Sequence, residues 1–352
     1  MQHGNPNSLI EAKARFCTAL ESWYAKHQRK LPWRSKPSLY KTVVSEFMLQ
    51  QTQVSTVLPY FERWLKAFPN FEALAKADEA LVLKRWEGLG YYSRARNLHK
   101  LAKELVQLPK TPQKAEGWLA FRGIGPYTAA AIASIAFSDA SAVVDGNVIR
   151  ILARLTADAT PFSDNTAALK HFSPLAQAIL DEKNPGDHNQ AMMELGATLC
   201  TKHKPLCTVC PVMQHCQSVK HGKPENFPKL KRKATVKRTV ERVWIAHEGA
   251  ILLHKKTAKA KRLADLFEIP PQSAIPSKQA LTLNSDDLLL KKSRGISNER
   301  IEESIYALKP SAALLKKINQ DPELHWVLKE ELERVTLSGP HRKWANALLK
   351  RN

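Results

Sequence analysis

Cys200-Thr201-Lys202-His203-Lys204-Pro205-Leu206-Cys207-Thr208-Val209-Cys210-Pro211-Val212-Met213-Gln214-His215-Cys216 holds four of the chain's five cysteines, with gaps of six, two and five residues. Thiolates this close in one loop converge on a single metal centre. Clustered thiols of a reduced protein are the blandest alternative, and structural zinc is the nearer one. Zinc loops usually pair two short Cys-x2-Cys units across a longer spacer, and one such unit is present here. A single compact loop with unequal gaps suits a four-iron four-sulfur (4Fe-4S) cluster better, with Cys200, Cys207, Cys210 and Cys216 as ligands. The fifth cysteine, Cys17, sits on the face of a helical pattern and reads as a core thiol. Free thiols beside a cluster imply a reducing compartment.

Outward from the loop, residues 8–220 are almost entirely helical in pattern. Apolar residues recur three and four apart in 45–68, 81–86, 94–106 and 127–137, separated by Gly, Pro and Asn breaks. Phe121-Arg122-Gly123-Ile124-Gly125-Pro126-Tyr127-Thr128 puts Gly123 and Gly125 between two helical patterns. Glycine lets backbone amides approach a phosphate, and the next helix N-terminus adds partial positive charge. The segment about 118–137 resembles a helix-hairpin-helix DNA-binding element, against an ordinary tight helix–helix turn. Two carboxylates stand out. Asp145, in Val144-Asp145-Gly146-Asn147, is either a helix N-cap or a site residue. Glu46 is the only charge between Lys41 and Glu62. It either caps the first turn of its helix or faces a pocket that raises its pKa so that it can donate a proton.

A length of 352 residues allows two cores, and a net charge of +21 implies a polyanionic partner, most simply nucleic acid. The apolar runs are too short to span a bilayer, and the N-terminal residues do not read as a secretory signal, so a cytoplasmic protein is expected. Residues 223–240 turn Lys-, Arg- and Pro-rich and read as a basic linker. Beyond it, 242–247 and 250–254 read as two strands around Glu248-Gly249, and 311–318 as a short helix in a smaller α+β domain.

Leu31-Pro32-Trp33-Arg34, 45–54, Gly88-Leu89-Gly90-Tyr91-Tyr92, Val144-Asp145-Gly146-Asn147, 188–196 and the cysteine loop follow one another in the order found in adenine DNA glycosylases of the MutY type, within the endonuclease III superfamily. The resemblance covers roughly residues 20–220. It implies a mainly α fold: a helix-hairpin-helix glycosylase domain with a cluster loop, residues 1–222, then a Nudix-like α+β domain, 241–352, that reads the opposite strand. The implied reaction is hydrolysis of the N-glycosidic bond of adenine mispaired with 8-oxoguanine or guanine, on double-stranded DNA and by a monomer, nucleoid-associated if bacterial. The implied roles are Glu46 as general acid, Asp145 as a nearby negative charge or a transient covalent partner for the sugar cation, and Asn147 as the residue that orients Asp145 or the water. Tyr127 stands where strand-cleaving relatives carry a lysine, which implies base removal without strand cleavage. Arg29, Trp33, Arg34 and Gln190 would line the adenine pocket. Gln51 and Tyr91 would enter the base stack, while Gly123, Gly125 and Lys202 would meet the backbone.

The resemblance thins in the C-terminal region. The family's Phe-Ser-His recognition loop has only Ile296-Ser297-Asn298 as a counterpart, leaving Ser297 as the sole candidate there. Two alternatives stay open: a glycosylase with another mispair preference, and a lesion-binding protein without catalysis.

Overall fold

The computed structural model describes residues 6–231, 234–257, 264–277, 283–296 and 298–350. It forms two compact units, Met1–Lys76 with Asn97–Arg232, and Ala77–Arg96 with Lys233–Asn352. No helix among the described residues is long and apolar enough to cross a membrane.

The helices begin with α1 (Pro6–Glu11), α2 (Lys13–His27), α3 (Leu39–Leu49), α4 (Val54–Ala67), α5 (Phe71–Lys76), α6 (Glu79–Trp86) and α7 (Ser93–Leu105). They continue with α8 (Ala115–Trp118), α9 (Pro126–Phe137), α10 (Gly146–Thr156), α11 (Asn165–Ala178), α12 (Pro185–Thr198) and α13 (Gln217–Lys220). In the first unit α3 is capped by Ser38, whose side chain accepts from the Lys41 amide, and it buries Tyr40 and the run Thr42–Met48. A helix apolar all round must be enclosed, and α3 packs on α4 and α9. Pro126 starts α9 with its φ already helical, and the small side chains of Ala129–Ala133 let neighbouring helices come close. Phe16, Leu20, Ile149, Leu152, Phe172 and Leu195 form the unit's main core. Each such side chain contributes roughly 1.5–3 kcal/mol when fully buried.

The second unit holds two sheets. In one, β3 (Val236–Trp244) runs parallel to β8 (Glu299–Ala307), which pairs antiparallel with β7 (Leu288–Ile296). In the other, β5 (Ala250–Lys255) pairs antiparallel with β4 (Ala246–His247), β6 (Phe267–Glu268) and β9 (Leu324–Leu328). Alternation along β5 sends Ile251 and Leu253 into one apolar cluster and Leu252 into another. That is why its sequence is a continuous apolar run. Two helices, α14 (Ala312–Ile318, capped by Ser311) and α15 (Gly339–Leu349), complete the unit.

Two boundaries differ from the sequence expectation. Residues 77–96, expected within a 1–222 domain, group with the C-terminal unit, where Tyr92 Oη donates to the Leu337 carbonyl at 2.9 Å and Arg342 Nε to Glu87 at 2.5 Å. The expected linker 223–240 contains a strand pair, β1 (Pro161–Phe162) with β2 (Lys229–Leu230), and the start of β3. The side chains of Val236–Thr239 are exposed, so a backbone-paired strand carries the composition of a connector.

Candidate active site

A cleft of about 1250 Å³ in the first unit is lined by Glu46, Tyr127, Asp145 and Asn147, together with Arg29, Trp33, Arg34 and Gln190. Residues from α3, α9, α10 and α12 thus converge on one space, and all eight catalytic and pocket candidates face it.

Glu46 comes from the last turn of α3 and is only 5% exposed. Its Oε2 is buried without a hydrogen-bond partner. Burial raises its pKa from 4.5 to about 7; Asp145 adds to the rise, while a hydrogen bond with Tyr127 and the charge of Arg34 oppose it. Burial also drives the Tyr127 hydroxyl well above 10, helped by Glu46 and Asp145, so the phenol is neutral.

Asp145 is partly buried and is the N-cap of α10. Its Oδ1 accepts from the amides of Asn147 and Val148, both at 2.8 Å, and its Oδ2 from Asn147 Nδ2 at 2.9 Å. Cap and site residue are therefore one role, since capping aims the carboxylate into the cleft. Burial pushes its pKa upward, and the three donors resist by solvating the anion. Glu46, with an orphaned oxygen, has no matching set of donors. The two acids sit in unlike surroundings.

Behind Asp145, Arg150 Nη2 donates to Asn147 Oδ1 and to the Gly196 carbonyl, and its Nε to the Cys200 carbonyl, all at 2.8 Å. Gly196 lets α12 approach: a Cβ there would lie 2.6 Å from that of Asn147. On the other wall, Glu194 has a fully buried side chain that takes Arg29 Nε at 2.6 Å and Arg34 Nη2 at 3.0 Å. Arg34 Nε also donates to Gln190 Oε1 at 3.2 Å, and its guanidinium lies 5.3 Å from the Tyr24 ring centre. Trp33 lines the cleft but packs edge-on against Phe61, so it is as much core as wall. Sequence reasoning gave no role to Glu194 or Arg150. The available signal was spacing alone: a carboxylate one helical turn from Gln190, and an arginine one turn from Gly146.

The four loop cysteines are free and lie in and beside the short turns 207–209 and 213–215. The guanidinium of buried Arg154 reaches Cys200 Sγ at 3.3 Å and the carbonyls of Thr201 and Lys202 at 2.7 and 3.0 Å. Burial, then the neighbouring thiols, push Cys210 up to about 12 against the Val212 amide, and Cys207 also rises through burial, Cys216 and Cys200. Four thiolates here need a cationic centre among them, and the donor set fits a sulfur-ligated metal.

Gln51 is exposed with φ +57°, and Tyr91, 46% exposed, has φ +46°. Two non-glycine residues in the left-handed region are strained, and such strain gathers at functional positions. Tyr91 belongs to the second unit and Gln51 to the first. Gly123 has φ +89°, and its missing Cβ would lie 2.5 Å from Asn97 Nδ2, so the hairpin needs glycine there. Gly125 caps α9, and Lys202 is exposed. Ser297 lies outside the described residues.

Residues 44–171 match the HhH-GPD superfamily of base excision DNA repair proteins. The human adenine DNA glycosylase is 34% identical over 350 residues, covering 95% of this chain and 62% of that protein. The enzyme of that name from Buchnera aphidicola subsp. Acyrthosiphon pisum is 36% identical over 250 residues, covering 69% and 70%. The chain spans about half the length of several animal relatives, 44% for the mouse protein. A thermostable thymine-DNA glycosylase structure shares the fold, with TM-score 0.52 and 23% identity over 60% of this chain and 98% of that one. A fold of endonuclease III type, the family's sequence over two thirds of a relative's length, and a cleft with two carboxyls place this chain in the adenine DNA glycosylase family.

Proposed function

We propose that the protein is a monofunctional glycosylase that hydrolyses the N-glycosidic bond of adenine mispaired with 8-oxoguanine or guanine. The observation that carries this reading is the single cleft holding a carboxyl raised to about 7 and a second carboxylate with three donors. A base in a duplex is out of reach, so the nucleotide rotates into the cleft, lined by Arg29, Trp33, Arg34 and Gln190. Glu46, protonated near neutral pH, gives its proton to a ring nitrogen of adenine. Adenine then leaves as a neutral molecule rather than an anion. The sugar gains oxocarbenium character, which Asp145 stabilises as an anion held by Asn147 and the Val148 amide, until a water adds to the anomeric carbon and gives up its proton to restore a neutral product. Tyr127 donates its hydroxyl proton toward the Glu46 carboxyl and offers no amine for imine formation, so the strand stays intact.

Cys200, Cys207, Cys210 and Cys216 would hold a 4Fe-4S cluster, which supplies a compact charge centre that fixes the loop. Lys202, Gln51, Tyr91 and the hairpin of Gly123 and Gly125 are the proposed DNA contacts, and the C-terminal unit the Nudix-like reader of the opposite base. Action as a monomer in the cytoplasm belongs to the same reading.

The test is base release from a duplex with adenine opposite 8-oxoguanine, developed with alkali. Glu46→Gln and Asp145→Asn should each slow release by about 10²-fold or more, the scale of lost acid catalysis, while duplex binding persists. Activity retained in both variants would refute the roles. A panel of other mispairs reads the base preference.

A further inference from the structure

Cys17 and Glu21 stand one turn apart on α2, and His188 reaches them from the first turn of α12. Cys17 Sγ lies 3.8 Å from His188 Nδ1, which is 3.9 Å from Glu21 Oε1, and the three atoms fall within 4.8 Å of one another. None of the three lines the adenine cleft or belongs to the cysteine loop. Cys17 and His188 are buried, and Glu21 Oε1 is a buried oxygen without a hydrogen-bond partner, although the side chain as a whole is 27% exposed. The Asp181 amide donates to His188 Nδ1 at 3.4 Å, a long contact to the lone pair that a metal ion at this position would take over.

A thiol sulfur, an imidazole nitrogen and a carboxylate oxygen form a borderline-soft donor set that suits zinc. Tetrahedral zinc with bonds of about 2.0–2.3 Å sets its ligand atoms about 3.4–3.7 Å apart. The two separations from His188 Nδ1, 3.8 and 3.9 Å, need contraction by only a few tenths of an ångström, and the third pair lies within 4.8 Å. We propose that Cys17, Glu21 and His188 bind a zinc ion that ties α2 to α12, with a water in the fourth position. Binding converts the thiol to a zinc-bound thiolate and releases its proton to solvent. The clamp sits at the start of the helix that carries Gln190 and Glu194, and so steadies one wall of the cleft.

The experiment uses the full-length protein with its loop cysteines intact. Zinc and iron per chain are measured by elemental mass spectrometry after equilibration with Zn²⁺ and gel filtration, and the unfolding midpoint is recorded with and without Zn²⁺. About one zinc per chain, with a raised midpoint, is expected in the wild type. Glu21→Gln and Cys17→Ala should each lose that zinc and the midpoint rise, with iron content unchanged. Glu21→Gln keeps shape and decides the matter if Cys17→Ala fails to fold. Equal zinc in wild type and Glu21→Gln, or no zinc and no midpoint change in the wild type, would overturn the site.

Discussion

Glu46 shows what one residue contributes and costs. Its pKa is raised, so its proton binds more tightly in the folded state than in the unfolded one. The sign follows: its contribution to stability is fully present below pH 4.5 and is lost as pH rises through about 7. Between 4.5 and about 7 the difference amounts to about 3 kcal/mol. Glu46→Gln should therefore unfold at higher denaturant than wild type above pH 7, with the gain vanishing in acid, even as activity disappears. Urea titrations at both pH values check this. Asp145 was legible as two alternatives, cap or site acid, and geometry merges them because the cap's own donors hold the anion. Glu194 was not legible. A buried carboxylate is recognisable only when its two arginine partners, 165 and 160 positions away in sequence, are seen beside it.

At the scale of elements, α10 and α12 set the position of Asn147. Replacing Gly196 by Ala would thrust a Cβ to 2.6 Å from the Asn147 Cβ and force the orienting amide away from Asp145. Gly196→Ala should cut single-turnover base release by about 10- to 100-fold, as misplacement near the chemistry does, with little change in duplex affinity. Fluorescence anisotropy and quench-flow separate the two. The helices were readable from periodicity because their apolar faces repeat every three to four residues. The start of β3 was not, because its exposed side chains leave backbone pairing with β8 as the only sign of a strand. In β5 the opposite holds: burial on both faces produces the run Ala250–His254 that marked it.

For the whole molecule, charge and cysteine spacing carried the reading furthest. A charge of +21 argues for a polyanion before any fold is known. The cysteine loop pointed to a sulfur-ligated centre, while the unequal surroundings of Glu46 and Asp145 emerge only once α3, α9 and α10 meet. Protein purified without oxygen should be brown with about four irons per chain, the content of one such cluster. A colourless preparation carrying zinc in the loop would contradict that centre. The grouping of residues 77–96 with the C-terminal unit was out of reach of the sequence, because helical pattern reports a segment's face and not its partner.

The central claim is that a neutral acid and an anion share one cleft, and it is tested most directly by titrating the Glu46 carboxyl itself. Infrared difference spectra of wild type against Glu46→Gln isolate its protonated carbonyl band. The account predicts a band that persists in mild acid and disappears around pH 7. A band already lost near the ordinary glutamate value of about 4.3 would contradict it.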